Sequence, residues 1–123
     1  MTEEEVKEIY NRLLELTKAG TLQWKQTGES EFTTNFARAS VTVRIGPDVF
    51  GDSPIVLQIF NDSGVMVALA SSNLDIAEII GGAFEKRFNL DVTELFNLVL
   101  ERVYKYSETS EDILKELRKL KAS

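Results

Sequence analysis

The hydrophobic pattern of the chain changes its period at Gly20. Before this residue, apolar side chains recur every three or four positions, which is the spacing of one face of a helix. After it, apolar and polar residues alternate, as they do in strands with one buried face. A chain of 123 residues that combines both periods is predicted to fold as a single α+β domain, residues 1–123.

The segment before Gly20 carries helix signals at both ends. Thr2 and Glu5 form a T-x-x-E capping box, in which each side chain accepts a hydrogen bond from the other residue's backbone N–H. Gly20 stands where a left-handed C-cap is expected. The apolar stripe consists of Val6, Ile9, Leu13, Leu16 and Thr17. We therefore predict a helix from about residue 3 to residue 19.

Five alternating segments follow, separated by stretches rich in Gly, Asn, Asp and Ser. They are residues 22–25, 32–36, 41–45, 55–60 and 65–70. Short turns between consecutive strands predict a five-stranded antiparallel meander. The longer connection from Gly46 to Pro54 is interpreted as a solvated loop in which Phe50 closes the edge of the core.

The remaining sequence returns to helical spacing. One predicted helix is capped by Ser72 or Asn73 and runs to Phe84, with Gly81-Gly82 as a kink or a point of close packing. A second begins at Asp91, and a last short amphipathic helix spans residues 110–121, after a break at residues 107–110. The predicted fold is thus an N-terminal helix, a five-stranded antiparallel β-meander and two to three C-terminal helices.

Histidine and cysteine are both absent from the chain. Their absence excludes zinc, haem and iron–sulfur sites built on these ligands, thiolate nucleophiles and disulfides, and hydrolases with an imidazole base. The net charge of −6 argues against binding a nucleic-acid backbone, which needs clustered Lys and Arg. We expect no cofactor and no nucleic-acid partner.

The sequence contains neither an apolar run long enough for a membrane span nor a typical signal peptide at its start. The longest apolar run, residues 65–70, is far shorter than a membrane span. The first five residues are acidic, where a signal peptide would be basic and then apolar. The sequence therefore predicts a soluble cytoplasmic protein with no membrane partner.

The stretch from Leu13 to Thr27 has a spaced pattern, L-x-x-x-T-x-x-G followed by L-x-W-x-x-T, and an N-D-S-G turn follows at residues 61–64. The pattern resembles one found in small uncharacterised bacterial and prophage proteins. The resemblance covers about the first 70 residues. It implies a helix–meander–helix α+β fold and a bacterial or phage origin, and it implies no activity. The last helix, from Ser110, is an addition to that pattern.

Catalysis without histidine would need Asp, Glu, Lys or Tyr for proton transfer. The candidate acids are Asp48 and Asp52 in the loop before the fourth strand, and Asp62 in the turn after it. Two carboxylates four residues apart could also ligate a hard cation such as Ca²⁺, although the loop lacks the spacing of an EF-hand. We favour a solvated loop in which these residues cap turns, and assign no catalytic or metal-binding residue.

The second face of the predicted sheet is polar in the first three strands and apolar in the fourth and fifth. The residues predicted on that face of the last two strands are Val56, Gln58, Phe60, Met66 and Ala68. An exposed patch of this kind is typical of an interaction surface. Its cover would be the chain's own last helix, a second copy of the protein or a foreign partner, and we interpret it as a partner-binding surface.

These features predict a small, non-enzymatic protein-binding or regulatory module of the inhibitor, immunity or chaperone kind, acting as a homodimer. The alternative is a protein that binds a small ligand, either a metabolite or a nucleotide. In that case Arg38 and Arg44 would meet an anion, while Trp24 or Tyr104 would stack on the ligand, although we favour a core position for Trp24, with its indole N–H bound to one partner. An enzyme that relies on carboxylates is the remote third alternative.

Overall fold

The computed structural model describes residues 1–120 and confirms the α+β class. Within these residues an N-terminal helix, a six-stranded mixed sheet and two long C-terminal helices form the fold. The helices are α1 (Glu3–Lys18), α2 (Ala77–Ile80), α3 (Thr93–Tyr104) and α4 (Tyr106–Lys119), with a 3-10 turn at Leu74–Ile76 before α2. The strands are β1 (Lys25–Gly28), β2 (Glu31–Asn35), β3 (Ala39–Ile45), β4 (Ile55–Asn61), β5 (Met66–Ser71) and β6 (Lys86–Asn89).

The first helix begins where its capping box predicts. Thr2 N donates to Glu5 Oε1 at 2.9 Å, and Glu5 N donates to Thr2 Oγ1 at 3.1 Å. The helix ends at Lys18, and Gly20 takes the left-handed conformation with a φ of 73°. The local signals at both ends therefore mark the limits of α1.

The sheet contains one strand more than the sequence predicts. Strands β1 to β5 form an antiparallel meander in chain order, as predicted. The first strand, predicted at residues 22–25, is instead Lys25–Gly28, so Leu22 and Trp24 precede the sheet. Strand β6 then pairs parallel to β5, so the prediction of five antiparallel strands is corrected to a six-stranded mixed sheet. A parallel neighbour needs a crossover connection, and the 3-10 turn and α2 provide it. The predicted helix up to Phe84 is accordingly too long, because α2 ends at Ile80.

The main core lies between one face of the sheet and the two helices α1 and α3. Phe32 of β2 is at its centre and meets the ring of Phe96 from α3 edge to face, with ring centroids 6.0 Å apart. The buried members of this core include Val6, Leu13, Trp24, Val43, Leu57, Ile59, Ala68, Leu95 and Val99. This face is the one that the helical stripe of α1 and the alternation of the strands predict.

A smaller second core covers the opposite face of β4 and β5. Val56 and Leu69 on these strands pack against Val49 from the loop at residues 46–54 and against Ile76 and Ala77 at the crossover. The chain thus covers its own second face with the loop and the crossover, and the last helix takes no part in this cover.

A β-bulge changes which face Ala68 occupies. The register between β4 and β5 shifts between Ile59 and Phe60, so that Ile59 pairs with Ala68 whereas Phe60 pairs with Met66. The extra residue, Val67, reverses the alternation at this point. The prediction that Ala68 lies on the second face is therefore wrong, and its side chain belongs to the main core.

Two further local predictions are wrong. Phe50 does not close the core edge: it is 100 % exposed at the tip of a turn, where both Phe50 and Gly51 have positive φ and Val49 is the residue that points inward. The predicted break at residues 107–110 is helical, because α3 and α4 are separated only by Lys105, which is left-handed with a φ of 56°. The predicted final residue of the last helix, Lys121, lies outside the described residues.

Candidate functional site

The predicted partner-binding surface is largely inaccessible in this fold. Val56, Gln58 and Ala68 are buried, and Phe60 and Met66 are partly buried. Gln58 remains on the second face, where its side-chain amide lies 3.4 Å from the sulfur of Met66. An exposed apolar patch on β4 and β5 is therefore excluded, because the loop and the crossover cover it.

The four residues predicted for a small ligand do not converge on one site. Trp24 is buried on the helix side, with its indole N–H donating to Thr17 Oγ1 at 3.1 Å. Tyr104, on the same side, meets Phe32 edge to face at 5.9 Å between ring centroids. Arg44 faces the opposite side, as the cross-strand partner of Val56.

Both of the predicted anion-binding arginines have acidic neighbours. Arg38, in the turn between β2 and β3, lies 3.7 Å from Asp62. Arg44, at the far end of β3, lies 4.0 Å from Glu31. Each guanidinium thus has a carboxylate within 4.0 Å, and the two arginines lie near opposite ends of β3, so they do not form one anion site.

The three candidate acids are also separated. Asp48 and Asp52 belong to the loop before β4, and Asp62 to the hairpin after it, so a strand of seven residues, about 20 Å long, lies between them. Asp52 accepts a hydrogen bond from Asn73 Nδ2 at 3.4 Å. Among residues 1–120, no group of three or more acidic side chains is placed to hold a metal ion.

A row of exposed apolar side chains lies instead on α4. None of the fourteen residues Tyr106–Lys119 is buried. The exposed fractions of its large apolar residues are 52 % for Tyr106, 54 % for Ile113, 45 % for Leu114 and 57 % for Leu117, and Leu120 just after the helix is 73 % exposed. Amphipathic helices of globular proteins normally bury such residues against a core, so α4 presents a surface that is available for docking.

These residues form one narrow stripe along the helix. Ile113, Leu117 and Leu120 follow each other at steps of four and three, the spacing that places side chains on one helical face. Tyr106 lies two turns before Ile113 on the same line, and Leu114 borders the stripe. We call Tyr106, Ile113, Leu117 and Leu120 the α4 stripe. Lys115 lies on the opposite side of the helix, two positions from both Ile113 and Leu117.

The corner between α3 and α4 is built so that α4 leaves the main core. Lys105 is the left-handed residue that separates α3 from α4. Glu101 Oε1 accepts a hydrogen bond from Ser107 N at 3.0 Å and so caps the first turn of α4. The side-chain and backbone hydrogen bonds from Ser107 hold the pKa of Glu101 below its usual value. The rings of Tyr104 and Tyr106 stack across the corner with centroids 5.8 Å apart.

An apolar groove also lies between α1 and the sheet. It has a volume of about 470 Å³ and lies at the end of the sheet near the turn between β2 and β3. Its apolar lining includes Ile9, Leu16, Phe36, Val41 and Ile59. Unlike the α4 stripe, this groove is bordered by an element that is itself packed in the core.

The sequence predicts the amphipathic helix that carries the α4 stripe, but it does not predict that the stripe is exposed. The spacing from Ile113 to Leu120 predicts an amphipathic helix, whereas the identity of what that helix covers depends on the rest of the fold. Because the loop at residues 46–54 and the crossover already cover the second face of β4 and β5, no residue of α4 is buried within the part of the chain that the structure describes.

No helix within residues 1–120 is long and apolar enough to cross a membrane. Comparison with protein-family models, with curated proteins and with solved structures finds no significant match to this chain.

Proposed function

We propose that the protein is a small binding or regulatory module, rather than an enzyme, that acts by docking the α4 stripe onto another protein surface. The single observation that carries this proposal is an amphipathic helix of fourteen residues, none of which is buried. Inhibitor, immunity and chaperone-like modules work in this way, through a surface rather than a pocket, and no reactive group is required.

The energetics support a docking role for α4. Burying one Leu or Ile side chain stabilises a complex by about 1.5–3 kcal/mol before the losses of association are subtracted. An isolated helix of this length is only marginally stable in water, so a partner that covers the stripe would also stabilise the helix. Contiguous apolar surface rimmed by charged residues is typical of protein-interaction sites.

Two variants, built from the same type of substitution, test the proposal. Ile113→Gln and Leu117→Gln, combined, remove the apolar stripe while keeping a good helix former at both positions. Lys115→Gln is the matched control on the opposite side of α4. We expect wild type and Lys115→Gln to associate, either with themselves in sedimentation velocity or with a co-purifying protein, and the double variant to have lost that association.

Circular dichroism shows whether a loss of association results from unfolding of the variant. The double variant is expected to retain the helical signal of wild type, since none of the substituted side chains is buried. If the double variant associates as strongly as wild type, or if no form of the protein associates, α4 is not a docking surface and the proposal is wrong.

A further inference from the structure

We propose that the turn at residues 49–52 and the 3-10 turn beside it form a docking surface for a positively charged polypeptide with an apolar pocket. The surface consists of the exposed ring of Phe50 and the carboxylates of Asp48, Asp52 and Asp75, and we call these four residues the Phe50 surface. It lies on the cover of the second face, in which α4 takes no part. The inference therefore goes beyond the proposed function and does not depend on it.

Phe50 is displayed at a position where a stable turn favours other residues. Val49 and Asp52 exchange two backbone hydrogen bonds, of 2.6 and 3.0 Å, so Phe50 and Gly51 are the central residues of a tight hairpin turn. Both have positive φ, 50° for Phe50 and 84° for Gly51, and turns of this kind prefer Asn or Asp followed by Gly. The Phe50 side chain is 100 % exposed. Neither backbone geometry nor core packing accounts for an aromatic residue here, and strained positions of this kind concentrate at functional sites.

The exposed ring stands on a well-packed base. Val49, just before Phe50, is buried in the second core. The side chain of Asn73 joins the two turns, since its Nδ2 donates to Asp52 Oδ2 at 3.4 Å and its Oδ1 accepts from Asp75 N at 3.1 Å. The turn that carries the ring is thus held before a partner binds, and preorganised aromatic anchors are typical of the residues that dominate binding energy.

The net charge of the chain is concentrated in the segment that forms this surface. The chain contains 14 Lys and Arg and 20 Asp and Glu, and residues 45–85 hold six of the acidic residues and none of the basic ones. The rest of the chain is balanced, 14 against 14. Residues 45–85 therefore carry the entire net charge of −6.

Three of these six carboxylates have an arginine partner. The pairs are Asp62 with Arg38, Glu78 with Arg87 and Glu85 with Arg87. The other three belong to the Phe50 surface: Asp48, Asp52 and Asp75 are exposed, and none of them forms an ion pair within residues 1–120. The ring of Phe50 is thus accompanied by negative charge that no cation of the described chain neutralises.

This charge selects the class of partner. A basic polypeptide gains electrostatic energy as it approaches the three carboxylates. A second copy of the chain would bring the same carboxylates to the contact, and an anionic bilayer or a nucleic acid would also be repelled. An aromatic anchor accompanied by carboxylates is complementary to an apolar pocket rimmed by Lys and Arg.

Synthetic peptides of defined chemistry test the inference, because it concerns the chemistry of the partner. The probe is an amphipathic helix of Leu and Lys, about 18 residues long, or about five turns. One matched peptide has Glu in place of every Lys, and another has Ser in place of every Leu. Each is titrated into the 15N-labelled protein, and the shifts of the backbone amides locate the contact.

The Leu/Lys peptide is expected to shift the amides of the Phe50 surface, with a dissociation constant on the order of 10–100 μM. Binding should weaken as ionic strength rises, because the carboxylates are exposed. The Glu peptide should not bind there, and the Ser peptide should bind about tenfold more weakly. If the Leu/Lys peptide leaves these amides unshifted, or the Glu peptide shifts them equally, the inference is wrong.

Phe50→Asn separates recognition from stability. Asn tolerates positive φ better than Phe, so this variant is expected to be at least as stable as wild type in urea denaturation, while its affinity for the Leu/Lys peptide falls by about tenfold. Phe84→Asn is the control, since it removes a ring that is 93 % exposed but lies beyond α2, and it should change affinity by less than about twofold. Unchanged affinity in Phe50→Asn, or an equal loss in Phe84→Asn, overturns the inference.

A second pair of variants tests the role of the carboxylates. Asp48→Asn with Asp75→Asn is expected to weaken binding of the Leu/Lys peptide by about fivefold and to reduce its dependence on salt. Glu4→Gln with Glu8→Gln, at exposed positions of α1, changes the net charge equally and should alter affinity by less than about twofold. Equal losses would show that the overall charge attracts the peptide, and would overturn the inference.

Two measurements test the other possible partners. Dilution of the protein alone from about 500 to about 20 μM, a range suited to weak contacts, should leave the amides of the Phe50 surface unshifted, and phosphatidylcholine vesicles should not sediment the protein. Shifts on dilution would identify a second copy as the partner. Sedimentation that Phe50→Asn abolishes would identify a bilayer, and either result overturns the inference.

This inference and the proposed function can fail separately. Ile113→Gln with Leu117→Gln removes the α4 stripe but leaves the Phe50 surface intact, so this variant should bind the Leu/Lys peptide at the Phe50 surface as wild type does. Loss of the amide shifts at the Phe50 surface in this variant would show that the peptide binds through α4, and would overturn the inference while supporting the docking role of α4.

Discussion

Arg102 of α3 donates a hydrogen bond from Nε to the backbone carbonyl of Thr17 in α1, at 3.0 Å. A second nitrogen of the same guanidinium donates to the carbonyl of Lys18. The last carbonyls of a helix have no partner within the helix, and a cation near them is favourable. Arg102 thus caps α1 from 85 residues away and fixes the two helices against each other.

We predict that Arg102→Ala lowers the free energy of unfolding by about 1–3 kcal/mol, since it removes charge-assisted hydrogen bonds to carbonyls at a partly buried helix end. Arg102→Lys is expected to recover only part of this, because one ammonium group does not reproduce the fork of a guanidinium. Urea denaturation measures both. Arg12→Ala, at an exposed position, is the control and should change stability by less than about 0.5 kcal/mol.

The buried hydrogen bond from Trp24 to Thr17 predicts a measurable coupling between the two side chains. Trp24→Phe removes the donor and part of the ring volume, and Thr17→Val removes the acceptor with little change of shape. Each single variant is expected to be less stable by about 1–3 kcal/mol. The double variant should be more stable than the sum of the two losses predicts, by about 1 kcal/mol. Strict additivity would show that the hydrogen bond contributes nothing.

Glu85 has a side chain only 1 % exposed and pairs with Arg87 at 3.1 Å, while also accepting from Gly82 N at 2.9 Å. Burial acts to raise its pKa, but the hydrogen bonds from its own backbone, from Arg87 and from Gly82 outweigh burial, so the pKa is lowered from 4.5. A lowered folded-state pKa means that this stabilisation is complete above about pH 5 and is lost as pH falls below the unfolded value.

We therefore predict that Glu85→Gln lowers the free energy of unfolding at pH 7 by about 1–2 kcal/mol, because charge-assisted hydrogen bonds become neutral ones. The difference from wild type should shrink as the pH is lowered from 6 to 3, which thermal unfolding across that range measures. Glu3→Gln, which removes an exposed pair with Lys7, should show little difference at any pH. A Glu85→Gln penalty that is constant with pH would contradict the assignment.

Gly81 lies inside the same network, at the end of α2. A Cβ at this position would come within 2.2 Å of the carbonyl oxygen of Ala77 and 2.5 Å of Glu85 Oε1. We predict that Gly81→Ala destabilises the fold by about 1–3 kcal/mol, because backbone and a buried carboxylate must shift. At Gly82 the nearest atom would be 3.2 Å away, so Gly82→Ala is the matched control. Equal losses in the two variants, measured by urea denaturation, would contradict this packing.

The parts of the fold that the sequence predicts are those with a local cause. The capping box of Thr2 and Glu5 and the left-handed Gly20 define α1, and the alternation of the strands defines the meander. Asn73 caps the turn before α2 as predicted, since its Oδ1 accepts from Asp75 N at 3.1 Å. Each of these features is determined by residues within a few positions of one another, so the sequence pattern contains it.

The errors have non-local causes. Strand β6 has the sequence K-R-F-N with a single apolar residue, Phe88, and is a strand only because its backbone pairs with β5. The bulge at Val67 depends on pairing with β4, and one inserted residue moved Ala68 to the other face. The cover over Val56 comes from a loop and a crossover that have little secondary structure of their own.

The same distinction applies to the candidate site. The apolar spacing of α4 is readable in the sequence, but its start is not, because Ser107 to Ser110 has the composition of a turn and the break is at Lys105. The exposure of the α4 stripe follows from the second core, which occupies the face for which the last helix was one of three possible covers. The site could therefore be predicted as a helix but not as a free surface.

The corner at Lys105 yields the last prediction. A non-glycine residue in the left-handed region is disfavoured by roughly 1–2 kcal/mol, and β-branched side chains are worse there than Lys. Lys105→Gly relieves this strain and should leave stability equal to that of wild type or higher by up to about 1 kcal/mol. Lys105→Val should instead favour right-handed geometry, which would join α3 and α4 into one helix of 27 residues, about 40 Å long.

Small-angle X-ray scattering distinguishes the two geometries at a concentration where the protein is monomeric. Lys105→Gly is expected to keep the maximum dimension of wild type, whereas Lys105→Val should increase it as α4 straightens away from the corner. Straightening also separates Ser107 N from Glu101 Oε1, now 3.0 Å apart, so the first turn of α4 loses its cap. If Lys105→Val matches wild type in both stability and maximum dimension, the left-handed corner does not determine the direction of α4.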